Sequence, residues 1–404
     1  MVFLKHLRID HFNTIALMLP SIYAAGKPLT LGILGGGQLA KMTAQAAYRL
    51  GLQVAVIEHG AQSPAGCMTK HEFPEGWSNS EALEKFISVS DIVTLENEFI
   101  SPDILRHIAE RRQVFPSADT VALVQDKYIQ KHTMKAAGIP VPHFVAADSV
   151  DDLTTFAAQQ SYPIVIKTRT LGYDGYGNAT ARTDSDCHAA WNKFTTGDAP
   201  RTLMAESFVR FAKELAVIVA RNRRGEVAVY PCVQTIQQQH ICVTVLAPAP
   251  IEAPLLTKAQ DMAVACVEAI NGVGVFGIEM FLTLDDEILF NEIAPRPHNS
   301  GHYSIEACTA SQFENCVRAV CNLPLGSPEL MTGGAAMINI LGERNGQGIP
   351  DSVVDTLQHP YASLHLYGKK DSRVGRKMGH ITALGSDVNQ AFGRARDAVE
   401  ALIW

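Results

Sequence analysis

The amino-acid sequence predicts a protein of mixed α/β and α+β class, in which a parallel α/β unit precedes a longer region of antiparallel strands. A strand, a glycine turn, a helix and a second strand follow one another over residues 29–57, which is typical of the start of a parallel sheet. A glycine-rich loop at 172–178 lies between two β-type runs. A later hairpin is expected to close on Asp285-Asp286.

The length and composition indicate a globular protein of several domains. At about 150 residues per domain, 404 residues correspond to two or three domains. Hydrophobic residues at 47% and charged residues at 19% exclude a largely disordered chain. The expected segments are an N-terminal extension at 1–28, an α/β domain at 29–120, a central domain at 121–325 and a C-terminal domain at 326–404.

The net charge and the spacing of the cysteines indicate which binding partners and which cellular location to expect. There are 34 Lys and Arg against 41 Asp and Glu, a net charge of −7, so we expect no nucleic-acid and no membrane partner. None of the eight cysteines forms a CxxC pair, which favours reduced thiols in a cytoplasmic protein. Residues 15–25 loosely resemble a signal peptide, but Asp10 and Pro20 are atypical of one. A poorly structured tail is expected instead.

The α/β domain is expected to alternate strands and helices. Its glycine turn, Gly35-Gly36-Gly37, follows the first strand, and Glu96-Asn97-Glu98 follows a later one. The α/β pattern ends around Phe115-Pro116-Ser117. The expected strands are 29–34, 53–57 and 91–95, with a helix at 39–50.

The glycine turn allows two interpretations. Gly35 to Ala40 fits a GxGxxA pattern after a strand, and Glu58 follows at the spacing of a dinucleotide-binding motif. One interpretation is a pyrophosphate at the helix N-terminus, as in an NAD-dependent oxidoreductase. The other is a tight turn with no cofactor, or with another anionic ligand.

The central domain contains the second glycine-rich loop. A helix expected at 127–137 ends at Gly138. Lys167 ends a strand, and the three glycines after it let the backbone approach phosphate oxygens whose charge the lysine can neutralise. Because the loop lies between two strands, it is predicted to be a lid over phosphates and not a Walker A loop. A surface hairpin without a ligand is the alternative. The strands expected in this region are 162–168, 180–182, 215–220 and 227–233.

The hairpin that closes on Asp285-Asp286 predicts a metal site. With the turn centred there, Glu279 and Glu292 are directly opposite on one face. Two like charges at that spacing repel unless a proton or cation lies between them. Carboxylates beside a phosphate-binding loop suit Mg²⁺, and we prefer this to two solvated carboxylates. The expected strands are 276–283 and 287–294.

Two further segments indicate anion binding. The run Asn291 to His302 contains two prolines, one arginine and two histidines, too polar and too stiff for a core. The run Leu366 to His380 has five cationic residues against one Asp. A compact pocket for one phosphate monoester is the functional interpretation, and a solvated charge run is the alternative.

Together these features resemble the ATP-grasp fold. The strings at 35–39, 172–175, 291–302 and 375–380 closely resemble the 5-(carboxyamino)imidazole ribonucleotide synthase family, the ATPase subunits of phosphoribosylaminoimidazole carboxylase. The resemblance covers about residues 30–400. It implies an ATP-grasp fold with an N-terminal Rossmann-like pre-grasp domain and a small C-terminal β-rich domain, and it implies a homodimer.

The resemblance implies an ATP- and bicarbonate-dependent ligase of de novo purine biosynthesis. ATP would phosphorylate bicarbonate to carboxyphosphate, which gives CO₂, and the exocyclic amine of 5-aminoimidazole ribonucleotide would capture the CO₂. Because an amine that attacks CO₂ must lose a proton, Asp174 is the implied proton acceptor. A lid that excludes water would protect the carboxyphosphate.

The resemblance also implies the site residues. Asp174 and Arg296 are implied in catalysis, and Glu279 and Glu292 in holding Mg²⁺. The residues implied for ATP are Lys127, Lys167, Gly172, Tyr173, Asp174, Gly175, Tyr176, Gly177, Asn178, Glu206, Ser207, Phe208, Val209, Glu214, Gln237, Asn291 and Glu292. Those implied for bicarbonate and the ribonucleotide are Gln38, Glu96, Glu98, His298, Asn299, Ser300, Gly301, Lys369 and Arg376. By the same resemblance, Arg296 and residues 298–301 would bind bicarbonate and carboxyphosphate, and Gln38, Glu96 and Glu98 would face the imidazole. Lys369 and Arg376 would bind the ribonucleotide phosphate, and residues 206–209 would meet adenine.

Three departures from the family pattern accompany the resemblance. Tyr176 stands where the family usually has Lys or Arg, and Gln237 stands where it often has His. The segment from Glu96 to Pro102 is one residue longer than usual. We expect altered ATP affinity and not loss of activity. A formate-dependent glycinamide ribonucleotide transformylase and a non-catalytic nucleotide-binding relative are the other hypotheses.

Overall fold

The computed structural model describes residues 22–24, 26–172, 177–196 and 200–404. Within that part of the chain, Tyr23–Ala24 (β1) and Lys27–Pro28 (β2) pair as a short antiparallel hairpin. The expectation of an unstructured tail is therefore wrong for these residues. Ile22 and Leu29 pack against a hydrophobic cluster of the α/β domain, and Leu29 N donates to Ile22 O at 2.8 Å. Burial of these two side chains explains why the hairpin forms.

The α/β domain is built on a five-stranded parallel sheet. Its strands are Thr30–Leu34 (β3), Gln53–Ile57 (β4), Glu72–Phe73 (β5), Ile92–Leu95 (β6) and Gln113–Val114 (β7), in the order β5-β4-β3-β6-β7. Alternate residues of β3 and β4 enter two different hydrophobic clusters, so both faces of the sheet are buried. The expected strands and helix are confirmed to within one residue at each end. The helices are Gln38–Arg49, Ser80–Val89, Pro102–Ala109 and Ala118–Gln125.

A four-stranded antiparallel sheet carries the glycine-rich loop. Asn178 pairs with Lys167, so the two ends of the loop lie side by side. The helix Lys127–Ala136 precedes this sheet, and Gly138 follows it with φ +77°, as a helix C-terminus commonly requires. The strands are Phe144–Ala147 (β8), Ile164–Thr168 (β9), Asn178–Ala181 (β10) and Leu203–Ser207 (β11), and Val150–Gln160 and Asp184–Thr195 are the helices packed on them. The strand order is β10-β9-β11-β8.

Among the described residues, the largest sheet has nine strands and contains the hairpin that carries Glu279 and Glu292. Both faces are buried, because alternate residues of its strand Phe211–Arg221 (β12) enter two separate clusters. The next strands are Val227–Val229 (β13), Val233–Gln238 (β14), Ile241–Ala247 (β15), Gly274–Thr283 (β16) and Ile288–Ala294 (β17). The last are Gly334–Leu341 (β18), Ala362–Leu366 (β20) and Lys377–Gly385 (β22), and Gly346–Gln347 (β19) pairs separately with Asp371–Ser372 (β21).

The C-terminal strands extend this same sheet. Its order is β17-β16-β12-β14-β15-β18-β22-β20, with β13 paired to β12, so β18 joins the central domain through β15. The helix Gln312–Val320 contributes Val317 and Val320 to a cluster of the α/β domain. These connections hold the segments around one cavity. The other helices are Ala253–Ala269, Ser304–Ala307 and Val388–Glu400, with 3₁₀ turns at Gly66–Met68, Asn299–Gly301 and Thr356–Gln358.

No helix among the described residues combines the length and the apolar character that crossing a membrane requires.

Candidate active site

A cavity of about 440 Å³ lies between the glycine turn, the hairpin that carries Glu279 and Glu292, and the strands that flank the glycine-rich loop. Most of the implied site residues that the structure describes are on its wall. Those that line it are Gln38, Glu96, Glu98, Lys127, Lys167, Gly172, Asn178, Glu214, Gln237, Glu279, Asn291, Glu292, Arg296, His298 and Asn299. Those that do not are Gly177, Glu206, Ser207, Phe208, Val209, Ser300, Gly301, Lys369 and Arg376. Tyr173, Asp174, Gly175 and Tyr176 lie outside the described residues.

The two carboxylates predicted to hold a metal are directly opposite each other, but a bulge and not the assumed hairpin register brings them together. Glu279 of β16 pairs with Glu292 of β17. Nearer the turn the register differs by one residue, because Met280 pairs with Phe290 and Asn291 is left as a bulge. A bulge redirects side chains locally. Here the Asn291 amide nitrogen lies 3.5 Å from Oε2 of Glu279, and its Oδ1 accepts a hydrogen bond from Lys167 Nζ at 3.2 Å.

The environment of the two carboxylates separates their pKa values. Burial, reinforced by the Glu292 charge, raises the pKa of Glu279 well above its usual range. Burial also opposes ionisation of Glu292, but Lys127 and Lys167 outweigh it and lower the pKa of that carboxyl. Lys127 Nζ contacts Oε2 of Glu292 directly. Two hard oxygen ligands on a cavity wall, one reluctant to ionise without a cation, fit a magnesium ion.

The helix N-terminus fixes the position of Lys127. Asp126 caps the helix by accepting from Tyr128 N and Ile129 N at 2.9 and 3.1 Å. The same carboxylate forms a bidentate ion pair with Arg169, just after β9. Lys127 N also donates to the Arg169 carbonyl at 2.8 Å. These contacts hold the first turn of the helix against the strand that carries Lys167.

Lys131, Glu206 and Lys167 form a buried row of alternating charge, here called the charge row. Glu206 Oε2 lies 3.0 Å from Lys167 Nζ, and Glu206 Oε1 lies 3.4 Å from Lys131 Nζ. Burial lowers the pKa of Lys131 to about 8. The Glu206 side chain therefore points into the interior, and the expectation that residues 206–209 meet adenine stays a prediction. Lys131 was not identified from the sequence, although its spacing of four residues from Lys127 places both on one helix face.

Glu98 and Arg296 pair with each other on the cavity wall. Arg296 Nη2 donates to Glu98 Oε1 at 2.9 Å, and its Nε contacts Oε2 of the same carboxylate. The sequence placed Glu98 beside the imidazole and Arg296 beside bicarbonate as separate groups. The structure makes them one bidentate unit.

The glycine turn holds carboxylates of the chain itself. Gly36 N donates to Glu58 at 2.8 Å, and Gly37 N and Ala40 N donate to the two oxygens of Glu96 at 2.6 and 2.8 Å. A Cβ added at Gly37 would lie 2.5 Å from Glu96 Oε1. These amides already have anionic partners, so the pyrophosphate interpretation is wrong and the tight-turn interpretation holds. Both oxygens of Glu96 bind the helix N-terminus. Glu96 was predicted to face the imidazole, and this contact with the helix was not predicted.

The segment after β17 presents Arg296, His298, Asn299 and His302 to the cavity. The Gln312 side chain accepts from His298 N at 2.9 Å and donates to His298 O at 2.7 Å, which fixes the turn. Burial, with the Arg296 charge, lowers the pKa of His298 to about 4, so its imidazole is neutral near pH 7. Ser300 and Gly301 are buried behind the wall. Ser300 acts on His298 through a 2.8 Å contact between its Oγ and Nδ1.

The basic run reaches the cavity through a residue that the sequence did not single out. Lys377, the first residue of β22, lines the wall, whereas Lys369 and Arg376 do not. Lys369 Nζ donates to the Lys377 carbonyl at 2.7 Å, and Arg376 donates to the Asp371 carbonyl at 2.5 Å. The basic run Leu366 to His380 can be identified from the sequence, but which of its residues faces the cavity depends on how its strands pair.

Another part of the wall comes from strands β12, β14 and β15. Glu214 and Gln237 line it as expected, and burial raises the pKa of Glu214 to about 7. His240, in the turn between β14 and β15, also lines the wall and was not identified from the sequence. Phe208 is 42% exposed and, with Ser207 and Val209, lies away from the cavity wall.

Three family models match the chain in succession. The ribonucleotide synthetase preATP-grasp domain matches residues 29–125, and the ATP-grasp domain matches residues 132–313. The phosphoribosylaminoimidazole carboxylase C-terminal domain matches residues 335–393. The predicted fold class is therefore confirmed.

Curated relatives agree with these matches. N5-carboxyaminoimidazole ribonucleotide synthase of Synechocystis sp. is 38% identical over 372 residues, which cover 90% of this chain and 93% of the relative. Phosphoribosylaminoimidazole carboxylase of Candida albicans is 40% identical over 381 residues, and the match again covers 90% of this chain. The chain spans 65% of the length of that longer relative.

Solved structures give the same result in three dimensions. Carboxyaminoimidazole ribonucleotide synthase of Aspergillus clavatus complexed with ATP has a TM-score of 0.83 and 36% identity, covering 92% of this chain and 98% of that one. The N5-carboxyaminoimidazole ribonucleotide synthetase of Thermotoga maritima has a TM-score of 0.82 and 40% identity, covering 93% and 99%. The chain thus belongs to the N5-carboxyaminoimidazole ribonucleotide synthase family of ATP-grasp proteins.

Proposed function

We propose that the chain is an ATP-grasp ligase that carboxylates the exocyclic amine of 5-aminoimidazole ribonucleotide, using ATP and bicarbonate. The products are N5-carboxyaminoimidazole ribonucleotide, ADP and phosphate, and the reaction belongs to purine biosynthesis. The observation that carries the proposal is the opposed pair Glu279 and Glu292 beside Lys127 and Lys167 on one cavity wall. Relatives in the same family have been solved with ATP, and with ADP and 5-aminoimidazole ribonucleotide.

ATP phosphates would bind where the lysines and the glycine-rich loop meet. Lys127 and Lys167 both line the cavity, and Gly172 and Asn178 bring the two ends of the loop to the same wall. Ammonium groups and backbone amides neutralise and orient phosphate oxygens. Glu279 and Glu292 would hold Mg²⁺, which when bound would neutralise the charge on the phosphates.

Bicarbonate would bind beside the pair of Arg296 and Glu98. One bicarbonate oxygen attacks the γ-phosphorus of ATP, the bond to ADP breaks, and carboxyphosphate forms. The Arg296 guanidinium is held in place by Glu98, so it is oriented before the anion arrives. The neutral His298 imidazole can hydrogen-bond the same anion without adding a charge.

The acceptor amine would meet CO₂ in the same cavity. Carboxyphosphate breaks its carbon–oxygen bond to give CO₂ and phosphate. The amine nitrogen then attacks the carbon and releases one proton. Asp174, the proton acceptor implied by the resemblance, lies outside the described residues, so its role stays a prediction. Lys377 adds a positive charge to the wall for an anionic substrate, while phosphate binding by Lys369 and Arg376 stays a prediction too.

Phosphate release from ATP tests this function. Bicarbonate and 5-aminoimidazole ribonucleotide are added separately and then together, and inorganic phosphate is measured over time. We expect the fastest release when both are present. If adding both does not stimulate release, the proposed function is wrong.

The assembly, the location and the domain limits are proposed on the same basis. We propose a homodimer in the cytoplasm, with domains at 29–120, 121–325 and 326–404. Sedimentation velocity tests the dimer, and a single species at the 43.8 kDa of one chain would contradict it. Limited proteolysis tests the second limit, with the first cleavage expected near residue 326, whereas residue 120 is protected within the helix Ala118–Gln125.

A further inference from the structure

Lys131 is a buried lysine that the proposed reaction does not use. It lies on the helix Lys127–Ala136, is 1% exposed and is absent from the cavity wall. Its Nζ donates to the Asn291 carbonyl at 2.9 Å and pairs with Glu206. A buried ammonium is unfavourable unless it is paired and hydrogen-bonded. Lys131 meets both conditions, so its ammonium can remain charged in the interior.

The charge row connects Lys131 to the cavity. Glu206 is 3% exposed and lies between the two lysines, with one carboxylate oxygen toward each. Of the three residues, Lys167 alone lines the cavity. The Lys167 ammonium therefore stands between a buried carboxylate and any anion in the cavity.

One ammonium group cannot pair fully with both the Glu206 carboxylate and an anion in the cavity. If Glu206 had Lys167 as its only cation, moving that ammonium toward a ligand phosphate would leave a buried carboxylate unpaired. Breaking a buried pair in this way is strongly unfavourable. Lys131 stays beside Glu206 whether or not the cavity holds a ligand, because the Asn291 carbonyl anchors its ammonium on the interior side.

We propose that Lys131 is a positioning residue for nucleotide binding: it is the standing counter-ion of Glu206 and thereby leaves the Lys167 ammonium to a phosphate of the bound nucleotide. The inference rests on the proposed function only in that a nucleotide with phosphates occupies the cavity. It requires no carboxylation.

The test is a double-mutant cycle on nucleotide binding. A non-hydrolysable ATP analogue with Mg²⁺ is titrated by calorimetry into the wild type, Lys131→Met, Glu206→Gln and the double variant. Couplings between contacting charges commonly correspond to about tenfold in a dissociation constant, so Lys131→Met should bind about tenfold more weakly. The double variant should return to within about threefold of the wild type, because the neutral amide that Glu206→Gln introduces needs no counter-ion.

Lys135→Met is the matched control. Lys135 lies on the same helix one turn further along and is exposed, so the variant loses the same charge without touching the charge row. We expect it to bind like the wild type. Lys131→Met binding as tightly as this control would overturn the proposal. A double variant as weak as Lys131→Met would also overturn it, since Lys131 would then act through packing alone.

The proposal remains testable if Lys131→Met does not fold. Glu206→Gln and the double variant should then bind the analogue equally, because neither contains the Glu206 charge that Lys131 neutralises. A double variant about tenfold weaker than Glu206→Gln would overturn the proposal. Calorimetry uses neither bicarbonate nor the ribonucleotide. A wild type that binds the analogue without carboxylating would therefore refute the proposed function and leave the role of Lys131 intact.

Discussion

Glu96→Gln should destabilise the α/β domain, because Glu96 satisfies the N-terminus of the helix Gln38–Arg49. Its two oxygens accept from Gly37 N and Ala40 N at 2.6 and 2.8 Å. Burial raises the pKa of Glu96 in spite of these two bonds, so its charge by itself adds little to stability. Glutamine keeps one accepting oxygen and turns an NH₂ group toward the other amide, which leaves a buried donor without an acceptor. Because such a donor costs about 1–3 kcal/mol, we expect a loss of that size in the free energy of unfolding.

Thermal and urea unfolding followed by far-UV circular dichroism measure this loss. For a domain of this size, 1 kcal/mol shifts the midpoint by about 4–8 °C, so the first transition should fall by at least that much. Glu343→Gln is the control, because Glu343 is exposed. Equal midpoints for the two variants would refute the assignment. A rise in the midpoint on adding NAD would instead support a dinucleotide at the turn.

Three further predictions concern the cavity wall. Glu292→Ala should lose metal-dependent turnover while Glu343→Gln keeps it, and undiminished turnover would reject the metal assignment. Arg296→Met should lower the free energy of unfolding by about 3–5 kcal/mol, because it leaves the Glu98 carboxylate without its cation. Adding Glu98→Gln should restore most of that loss. If the losses of the two single variants simply add in urea titrations, the pairing is contradicted. Burial raises the Glu214 pKa to about 7, so its contribution to stability is present below about pH 4.5 and is lost as the pH rises toward 7. Glu214→Gln should therefore raise the melting temperature of the ligand-free protein at pH 8 but not at pH 4.5, and an equal change at both would contradict this.

The sequence predicted best the features that depend on short-range geometry. The strands of the α/β domain follow from apolar runs and the glycine turn, because both faces of that sheet are buried. The pairing of Glu279 with Glu292 was predicted by assuming symmetry about Asp285-Asp286, but the strands near the turn pair one residue out of that register, and the bulge at Asn291 produces the predicted pair. The bulge at Asn291 could not be predicted. It depends on how the Asn291 carbonyl and side chain meet Lys131 and Lys167, which come from distant parts of the chain.

Residues whose roles depend on tertiary pairing were harder to predict. Glu96, Glu98 and Glu206 were all expected to face a ligand. The structure gives each of them a partner from another element, namely helix amides, Arg296 and two lysines. A carboxylate in a loop or at a strand end has the same sequence signature in either role. Only the positions of the distant partners, helix amides for Glu96 and positive charges for Glu98 and Glu206, distinguish the two roles.

Oxygen transfer from bicarbonate tests the proposed chemistry most directly. The reaction is run with ¹⁸O-labelled bicarbonate, ATP and 5-aminoimidazole ribonucleotide, and the released phosphate is analysed by mass spectrometry. Because a bicarbonate oxygen attacks the γ-phosphorus and remains with phosphorus when CO₂ leaves, we predict one ¹⁸O in each phosphate. Phosphate without label, formed while the ribonucleotide is carboxylated, would contradict the carboxyphosphate route.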